Sequence, residues 1–340
     1  MTIDLRSDTV TQPTSAMKEA MLAAPIGDDV FGEDPSINAL EQKTAAMFGM
    51  DQGLFCPSGT MTNQIALNVL SQPYEEVLCY QGSHVYRYEG GGAAGTSGLS
   101  FRLLEGKEGQ VLPDEVLANI NPDDQHFPVS SVLSLENTVN KAGGTVYTEQ
   151  AIKELSALAL EKGLKRHLDG ARIFNALRVT GQTTESLGKY FDTISICLSK
   201  GLGAPVGSLL LSKNSFSKRA RRMRKVLGGG MRQAGFLAAA GSYALDQHIV
   251  RLDEDHVRAK KIGTILSACN FVSKVIPPVT NIVIFEVAEG IDDGIFLQDM
   301  ASVGILGVSF GKNLIRLVTH LDFDDTQLTL LEERLKGLQK

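Results

Sequence analysis

The chain has 340 residues, 43% apolar and 21% charged, with a formal net charge of −6. That length allows about two domains and a sizeable core. Mild acidity without a basic block argues against a nucleic-acid ligand, and no apolar run approaches the ~20 residues that span a bilayer. Cys56, Cys79, Cys197 and Cys269 lie far apart without metal-ligand spacing, so they read as small core residues and no metal site is expected. The first residues lack a basic head and an apolar signal core, and a cytoplasmic location is expected.

Residues 1–14 are polar, hold Arg6, Ser7, Asp8 and Pro13, and predict an extended arm. A short helix follows from Ser15 to Ala24, then an acidic loop from Gly27 to Pro35. Asp34 is placed to cap the next helix with Pro35 at its first position; Ile37, Leu40, Thr44, Met47 and Phe48 keep helical spacing until Gly49 stops it. A strand over 53–56, the turn Pro57-Ser-Gly-Thr60 and a helix over 61–70 put backbone N–H groups and hydroxyls at a helix N-terminus. That is an anion cradle suited to a phosphate, although Ser-Gly-Thr is also an ordinary turn.

The strand 76–80 leads to His84, just past a strand end, where a ring can stack on a ligand or act as a base. Gly90–Gly95 does not match the dinucleotide fingerprint G-x-G-x-x-G followed by a helix. A strand over 99–104, a helix over 113–120, a loop carrying His126 and a strand over 129–136 come next. The helix 148–161 then precedes a strand that ends on Asp169, followed by Gly170, Ala171 and Arg172. The apolar run Ile194, Ile196, Leu198 reads as a buried strand ending on Lys200, with Gly201 and Gly203 opening the backbone beyond it. A lone lysine at a strand end usually points to water. One at the bottom of a pocket is partly desolvated, and its amine becomes a Schiff-base nucleophile.

A hairpin-like return over 205–211 is followed by a basic helix over 216–226, the glycines before Arg232, and one long helical region from Arg232 to about Ala268. The last seventy residues alternate: strand 282–287, helix 293–303, strand 315–318 with Arg316, helix 324–338. The division expected is an arm over 1–14, a large domain over 15–245 and a small α/β domain over 246–340.

Polar residues thus gather at strand carboxyl ends, the rim where open parallel sheets bind ligands. A phosphate cradle, a stacking ring, an acid and a lysine are the parts of a pyridoxal phosphate site: the acid keeps the pyridine nitrogen protonated, and the lysine takes the aldehyde. Arg316 is the candidate fork for a substrate carboxylate.

Several motifs in order carry a resemblance across nearly the whole chain: Asp4-Leu-Arg-Ser-Asp-Thr-Val-Thr11, Gly27-Asp-Asp-Val-Phe-Gly-Glu-Asp-Pro35, Ser134-Leu-Glu-Asn137, His167-Leu-Asp-Gly-Ala-Arg-Ile-Phe-Asn175, Ser199-Lys-Gly-Leu-Gly203, Gly228-Gly-Gly-Met-Arg-Gln233 and Arg316-Leu-Val-Thr-His320. Together they resemble the low-specificity L-threonine aldolases, fold type I pyridoxal phosphate enzymes. The resemblance implies an α/β, aspartate aminotransferase-like large domain with a mostly parallel sheet, plus the smaller C-terminal α/β domain. It implies retro-aldol cleavage of L-threonine, L-allo-threonine and related β-hydroxy-α-amino acids to glycine and an aldehyde.

By the same resemblance Lys200 would hold the cofactor, Asp169 would meet its ring nitrogen and His84 would stack on it. Ser58, Gly59 and Thr60 would bind the phosphate, as would Arg232, and with it Lys225, reaching into a neighbouring subunit. Arg172 would serve cofactor and substrate; Ser7, Arg172 and Arg316 would hold the amino-acid carboxylate, and His126 would face the β-hydroxyl. The base is His84, His126 or a water held by either. A homotetramer with sites at dimer interfaces is implied. Phe31 stands where a tyrosine is expected, removing a hydroxyl, and Ser58 where threonine is common, keeping one. A β-eliminating lyase or transaminase on the same scaffold, and a non-catalytic phosphate-ligand binding protein, are the competing readings.

Overall fold

A computed structural model describes residues 2–338. Its strands are β1 (Ile3–Asp4), β2 (Gln52–Cys56), β3 (Glu76–Tyr80), β4 (Ser100–Leu104), β5 (Ser130–Glu136), β6 (Lys165–Gly170), β7 (Thr193–Cys197), β8 (Ser208–Ser212), β9 (Val272–Ile276), β10 (Ile282–Val287), β11 (Ile305–Leu306), β12 (Val308–Gly311) and β13 (Leu314–Val318). Seven of them form the main sheet in the order β2-β8-β7-β6-β5-β3-β4. Neighbours from β7 across to β4 run parallel, while β8 is antiparallel to both β7 and β2. The mostly parallel sheet and the hairpin-like return after Lys200 are therefore as expected.

Helices cover both faces of this sheet, so β7 and β8 are buried along their whole length; β8 carries the apolar run Leu209-Leu210-Leu211, while β7 sets Ile194 and Ile196 between the small polar Thr193 and Ser195. Phe55, Leu133, Leu135, Ile194 and Ile196 pack on one face. Leu54, Cys56, Val77, Cys79 and Val132 pack on the other. Each such side chain, fully buried, contributes about 1.5–3 kcal/mol. Register does the rest for the site. Glu136 on β5 pairs with Asp169 on β6, and Asp169 with Ser195 on β7, so these side chains stand in one row on one face.

The second sheet is four-stranded and antiparallel, in the order β12-β13-β10-β9. The arm joins this unit: β1 pairs parallel with β11, and Ile3 and Leu5 are fully buried with Phe285, Leu317 and Leu331. The single helical region expected after Arg232 is two helices, Gly235–Gln247 and Leu252–Ser267. The chain breaks where the His248 ring donates through Nδ1 to the Leu202 carbonyl at 2.7 Å, a contact that pins the turn to the loop beyond Lys200.

Several further elements escaped the sequence reading, among them β9, β11, β12 and the short helices Gly92–Ser97 and Thr184–Gly188. Strand β9 leaves most of its side chains partly exposed and shows no apolar run. Gly92–Ser97 is a short helix entered through Gly90 and Gly91, both at positive φ. A Cβ on Gly92 would lie 2.6 Å from Gln64 Cδ, so glycine there lets the turn close onto the Gly59–Leu70 helix. Among the described residues no helix is long and apolar enough to cross a membrane.

Candidate active site

Ser7, His84, Asp169, Arg172, Lys200 and Arg316 line one cleft of about 430 Å³, between the carboxyl ends of the parallel strands and the C-terminal unit. Lys200 follows β7 by three residues. There the chain turns, with the Gly203 N–H donating to the Lys200 carbonyl at 2.8 Å and Gly203 itself at φ +77°. Thr11 of the arm donates its hydroxyl to the same carbonyl at 3.2 Å. The Lys200 side chain is half-buried and, among the described residues, its amine has neither a hydrogen bond nor an ion pair. A cleft-facing amine without a partner is free to react.

Asp169 is buried at the bottom of the cleft. Its Oδ2 accepts from Asn63 Nδ2 at 2.9 Å, and its Oδ1 from the Ala171 N–H at 3.1 Å. Asn63 lies on the buried face of the Gly59–Leu70 helix, and its Nδ2 also donates to Glu89 Oε1 at 2.7 Å. With both amide hydrogens facing carboxylates, Asn63 Oδ1 faces His167 Nε2 at 3.1 Å, so that nitrogen donates. His167 Nδ1 must then accept from the Thr193 hydroxyl at 2.9 Å. Burial pushes His167 down to about 4, leaving it neutral in this role. Glu89 also accepts from Gln64 and meets His84 Nδ1 at 2.9 Å. Burial alone would lower the His84 pKa, but the Glu89 hydrogen bond and the Asp169 charge outweigh it, and the net shift is upward. Donor atoms of His84, Glu89 and Asp169 lie within 4.8 Å of one another, near enough to share a cation, yet hydrogen bonds already occupy these groups.

The arginines behave differently from each other. Arg172 forks onto Asp8 of the arm, Nε to Oδ2 and Nη2 to Oδ1, both at 2.7 Å. Burial alone would raise the Asp8 pKa; Arg172, Lys200 and the Asn281 amide overcome it and hold the carboxyl well below the usual range. Arg172 thus lines the cleft with its fork closed, only Nη1 turning to Asn140 Oδ1 at 3.5 Å. Arg316 on β13 meets neutral acceptors alone among the described residues: Asn140 Oδ1 at 3.0 Å and the Arg6 carbonyl at 3.0 Å. Its Nε is buried without a partner among the described residues. Burial, then the Arg172 charge, pushes Arg316 down to about 10. A half-buried guanidinium with no ion pair among the described residues is a site prepared for an anion. The Phe310 ring lies 4.8 Å from its Cζ and 4.1 Å from Lys141 Nζ, closing the cleft on the C-terminal side.

Other residues singled out in the sequence stand apart from this cleft in their own chain. Ser58 is exposed and caps its helix by accepting from the Met61 N–H at 3.2 Å. Gly59 and Thr60 form the first turn, where N–H groups lack intrahelical acceptors. A Cβ on Gly59 would sit 2.5 Å from Cys197 Sγ, on the strand that leads to Lys200. Arg232 is exposed and pairs with Asp28 at 3.0 Å. His126 lies on an exposed loop, its side chain 75% accessible, paired with Asp124 at 2.7 Å. Phe31 is 74% exposed, beside Arg222 and Lys225 in a second concavity.

Pyridoxal phosphate fits these residues. Glycine at 59 keeps the helix N-terminus bare and close to β7, and Ser208 Oγ, buried without a partner, would lie 3.7 Å from a Cβ there. A buried acid, a ring and a free amine complete the donor set. Asp8, Asn63, Glu89, Glu136, Asn140 and His167 were not assigned to the site in the sequence. Glu136, an acid ending an apolar strand, carries the same signal that singled out Asp169; the buried polar groups of the Gly59–Leu70 helix carry none.

Fold and site together define a fold type I pyridoxal phosphate enzyme. The model of the β-eliminating lyase family matches residues 4–290. A low specificity L-threonine aldolase of Escherichia coli O157:H7 is 43% identical over 327 residues, 96% of each chain. A probable low-specificity L-threonine aldolase of Arabidopsis thaliana is 37% identical over 336 residues, 96% of this chain and 94% of the relative. In fold the chain is similar to a threonine aldolase structure from Leishmania major, with a TM-score of 0.86, 21% identity, and 99% and 100% of the two chains covered. The chain belongs to the low-specificity L-threonine aldolases, within the β-eliminating lyase family.

Proposed function

We propose that this chain cleaves L-threonine, L-allo-threonine and related β-hydroxy-α-amino acids to glycine and an aldehyde, using pyridoxal phosphate. The observation that carries the reading is Arg316: a half-buried cation with no ion pair among the described residues, in the same cleft as the unpartnered Lys200 amine and the buried Asp169 carboxylate. An amino-acid substrate brings the missing carboxylate.

In this reading Lys200 binds the cofactor aldehyde, Asp169 holds the ring nitrogen protonated, and Ser58, Gly59 and Thr60 receive the phosphate. When bound, pyridoxal phosphate supplies an electron sink for the pair released from the Cα–Cβ bond. Arg316 orients the substrate through its carboxylate, with Asn140 and Ser7 beside it and Arg172 steadied by Asp8. His84 is tethered to Glu89 through Nδ1, which leaves Nε2 to take the β-hydroxyl proton directly or through a water. His126 is outside the cleft of its own chain, so its part depends on a neighbouring copy.

A homotetramer in the cytoplasm, with sites at dimer interfaces, belongs to the same reading. Exposed Leu22, Phe31 and Val226 support a covered surface there. Arg222 and Lys225, without acidic partners among the described residues, would with Arg232 face a phosphate in the neighbouring copy.

The test is product analysis with both threonine diastereomers. Equimolar acetaldehyde and glycine are expected. A 2-oxo acid with ammonia would replace the reading by β-elimination, and glutamate formed from 2-oxoglutarate by transamination.

A further inference from the structure

Glu136 is the last residue of β5, largely buried and lining the cleft beside Asp169. Its two oxygens serve different loops. Oε2 accepts the backbone N–H of His84 at 2.7 Å, and Oε1 accepts the backbone N–H of Asn140 at 2.8 Å. It forms no ion pair among the described residues. Both loops belong to the site. The first carries the His84 ring beside Asp169 and Glu89. The second carries Asn140, whose Oδ1 gathers Nη1 of Arg316 at 3.0 Å and Nη1 of Arg172 at 3.5 Å. Lys141 next to it donates to the Phe310 carbonyl, tying this turn to β12.

We propose that Glu136 is a positioning residue of this site: one carboxylate holds the His84 loop and the Asn140 turn in register, so that the group that moves the proton and the guanidinium that takes the substrate carboxylate are set by a common anchor. The proposal rests on the aldolase reading for its kinetic part only. The clamp itself is a matter of two hydrogen bonds.

A carboxylate is the side chain this position requires. Both partners are N–H donors, and only an ionised carboxylate accepts from both without presenting a hydrogen to either. An amide of the same shape would turn its NH2 toward one of them. The titratable groups facing Glu136 are Asp169 on β6, His84 beyond β3, Arg172 beyond β6, Tyr80 and Cys79 on β3, and Tyr147. Burial first, then the Asp169 charge, pushes Glu136 up to about 7. The form that accepts both N–H groups is therefore complete only above neutrality, and both loops loosen together as the pH falls through it.

The test is Glu136→Gln in the holoenzyme, with two readouts. Hydrogen–deuterium exchange of peptides covering the His84 and Asn140 amides is expected to speed up by about tenfold or more at the amide that the new NH2 group faces, the loss of one buried hydrogen bond, and by less at the other. In threonine cleavage, kcat is expected to fall and KM to rise, each by about tenfold, and the wild-type rise of KM below neutrality to be absent. Asn140→Ala is expected to reproduce the KM rise with a much smaller change in kcat. Unchanged exchange at both amides, or a lowered melting temperature with wild-type kcat, KM and pH profile, overturns the proposal. Faster exchange at both amides in a protein that releases no aldehyde would uphold the clamp and defeat the aldolase reading instead. If Glu136→Gln does not fold, Glu136→Asp, which keeps the charge but shortens the reach to both N–H groups, decides: faster exchange at the two amides than at the rest of the sheet supports the clamp, and wild-type exchange at both overturns it.

Discussion

Arg172 and Arg316 are equivalent on paper, each a basic residue in a family motif near a strand end, and the structure separates them. Arg172 has its fork filled by Asp8 at 2.7 Å twice over, while Arg316 has only neutral acceptors. The consequences of removing them should differ in kind. Arg316→Leu is expected to raise KM for threonine by roughly 100-fold, the loss of a charge-assisted pair, while cofactor content and melting temperature stay near wild type. Arg172→Leu strands a buried Asp8 carboxylate and should cost about 3–5 kcal/mol of stability in urea unfolding. Lys200 and Asp169 were singled out at strand ends in the sequence, and the structure sets both along one cleft. Asn63 and His167 were not legible, since their contacts with Asp169, Glu89 and each other span roughly 25 to 105 residues of sequence or depend on the folded sheet, and Glu89, five residues from His84, has no local pattern that marks it.

At the scale of elements, the strands of the main sheet were legible from their apolar residues, Ile194 and Ile196 at alternate positions in β7 and three successive leucines in β8. Strand β9 is half-exposed and the break at His248 depends on a bond to Leu202, 46 residues away, so neither has a local signal. The Pro57–Thr60 turn was legible as a helix start but not as a close contact. Its distance from β7 is set by Gly59, where a Cβ would meet Cys197 Sγ at 2.5 Å. Gly59→Val is expected to push the turn off the strand, weakening cofactor affinity at least tenfold in an absorbance titration, with a stability loss of about 1–3 kcal/mol from overpacking. Unaltered cofactor affinity would detach this turn from phosphate binding.

The whole molecule is joined at Asp8. This arm residue pairs with Arg172 beyond β6 and accepts from Asn281 at 3.2 Å before β10, linking the arm, the main sheet and the C-terminal unit. The arm was expected to be extended; that it supplies a buried ion to the cleft and Ile3 and Leu5 to the C-terminal core could not be read from fourteen polar-looking residues. Asp8 has a folded-state pKa below its unfolded value of about 3.9, so its contribution is complete above that value and is lost as the pH falls below it. Asp8→Asn is expected to be less stable than wild type by a constant margin between about pH 5 and 8, the margin shrinking below about pH 4 in urea titrations. A margin independent of pH would mean that the carboxylate charge is not what joins the units.

The central claim is that Lys200 carries pyridoxal phosphate in this cleft. It is tested most directly by the visible spectrum of the purified protein before and after borohydride, with the reduced peptide mapped by mass spectrometry. A band that borohydride abolishes, with the label on Lys200 and none in Lys200→Ala, is the expected result. A protein that stays colourless after pyridoxal phosphate is added, or a label on any other lysine, would contradict it.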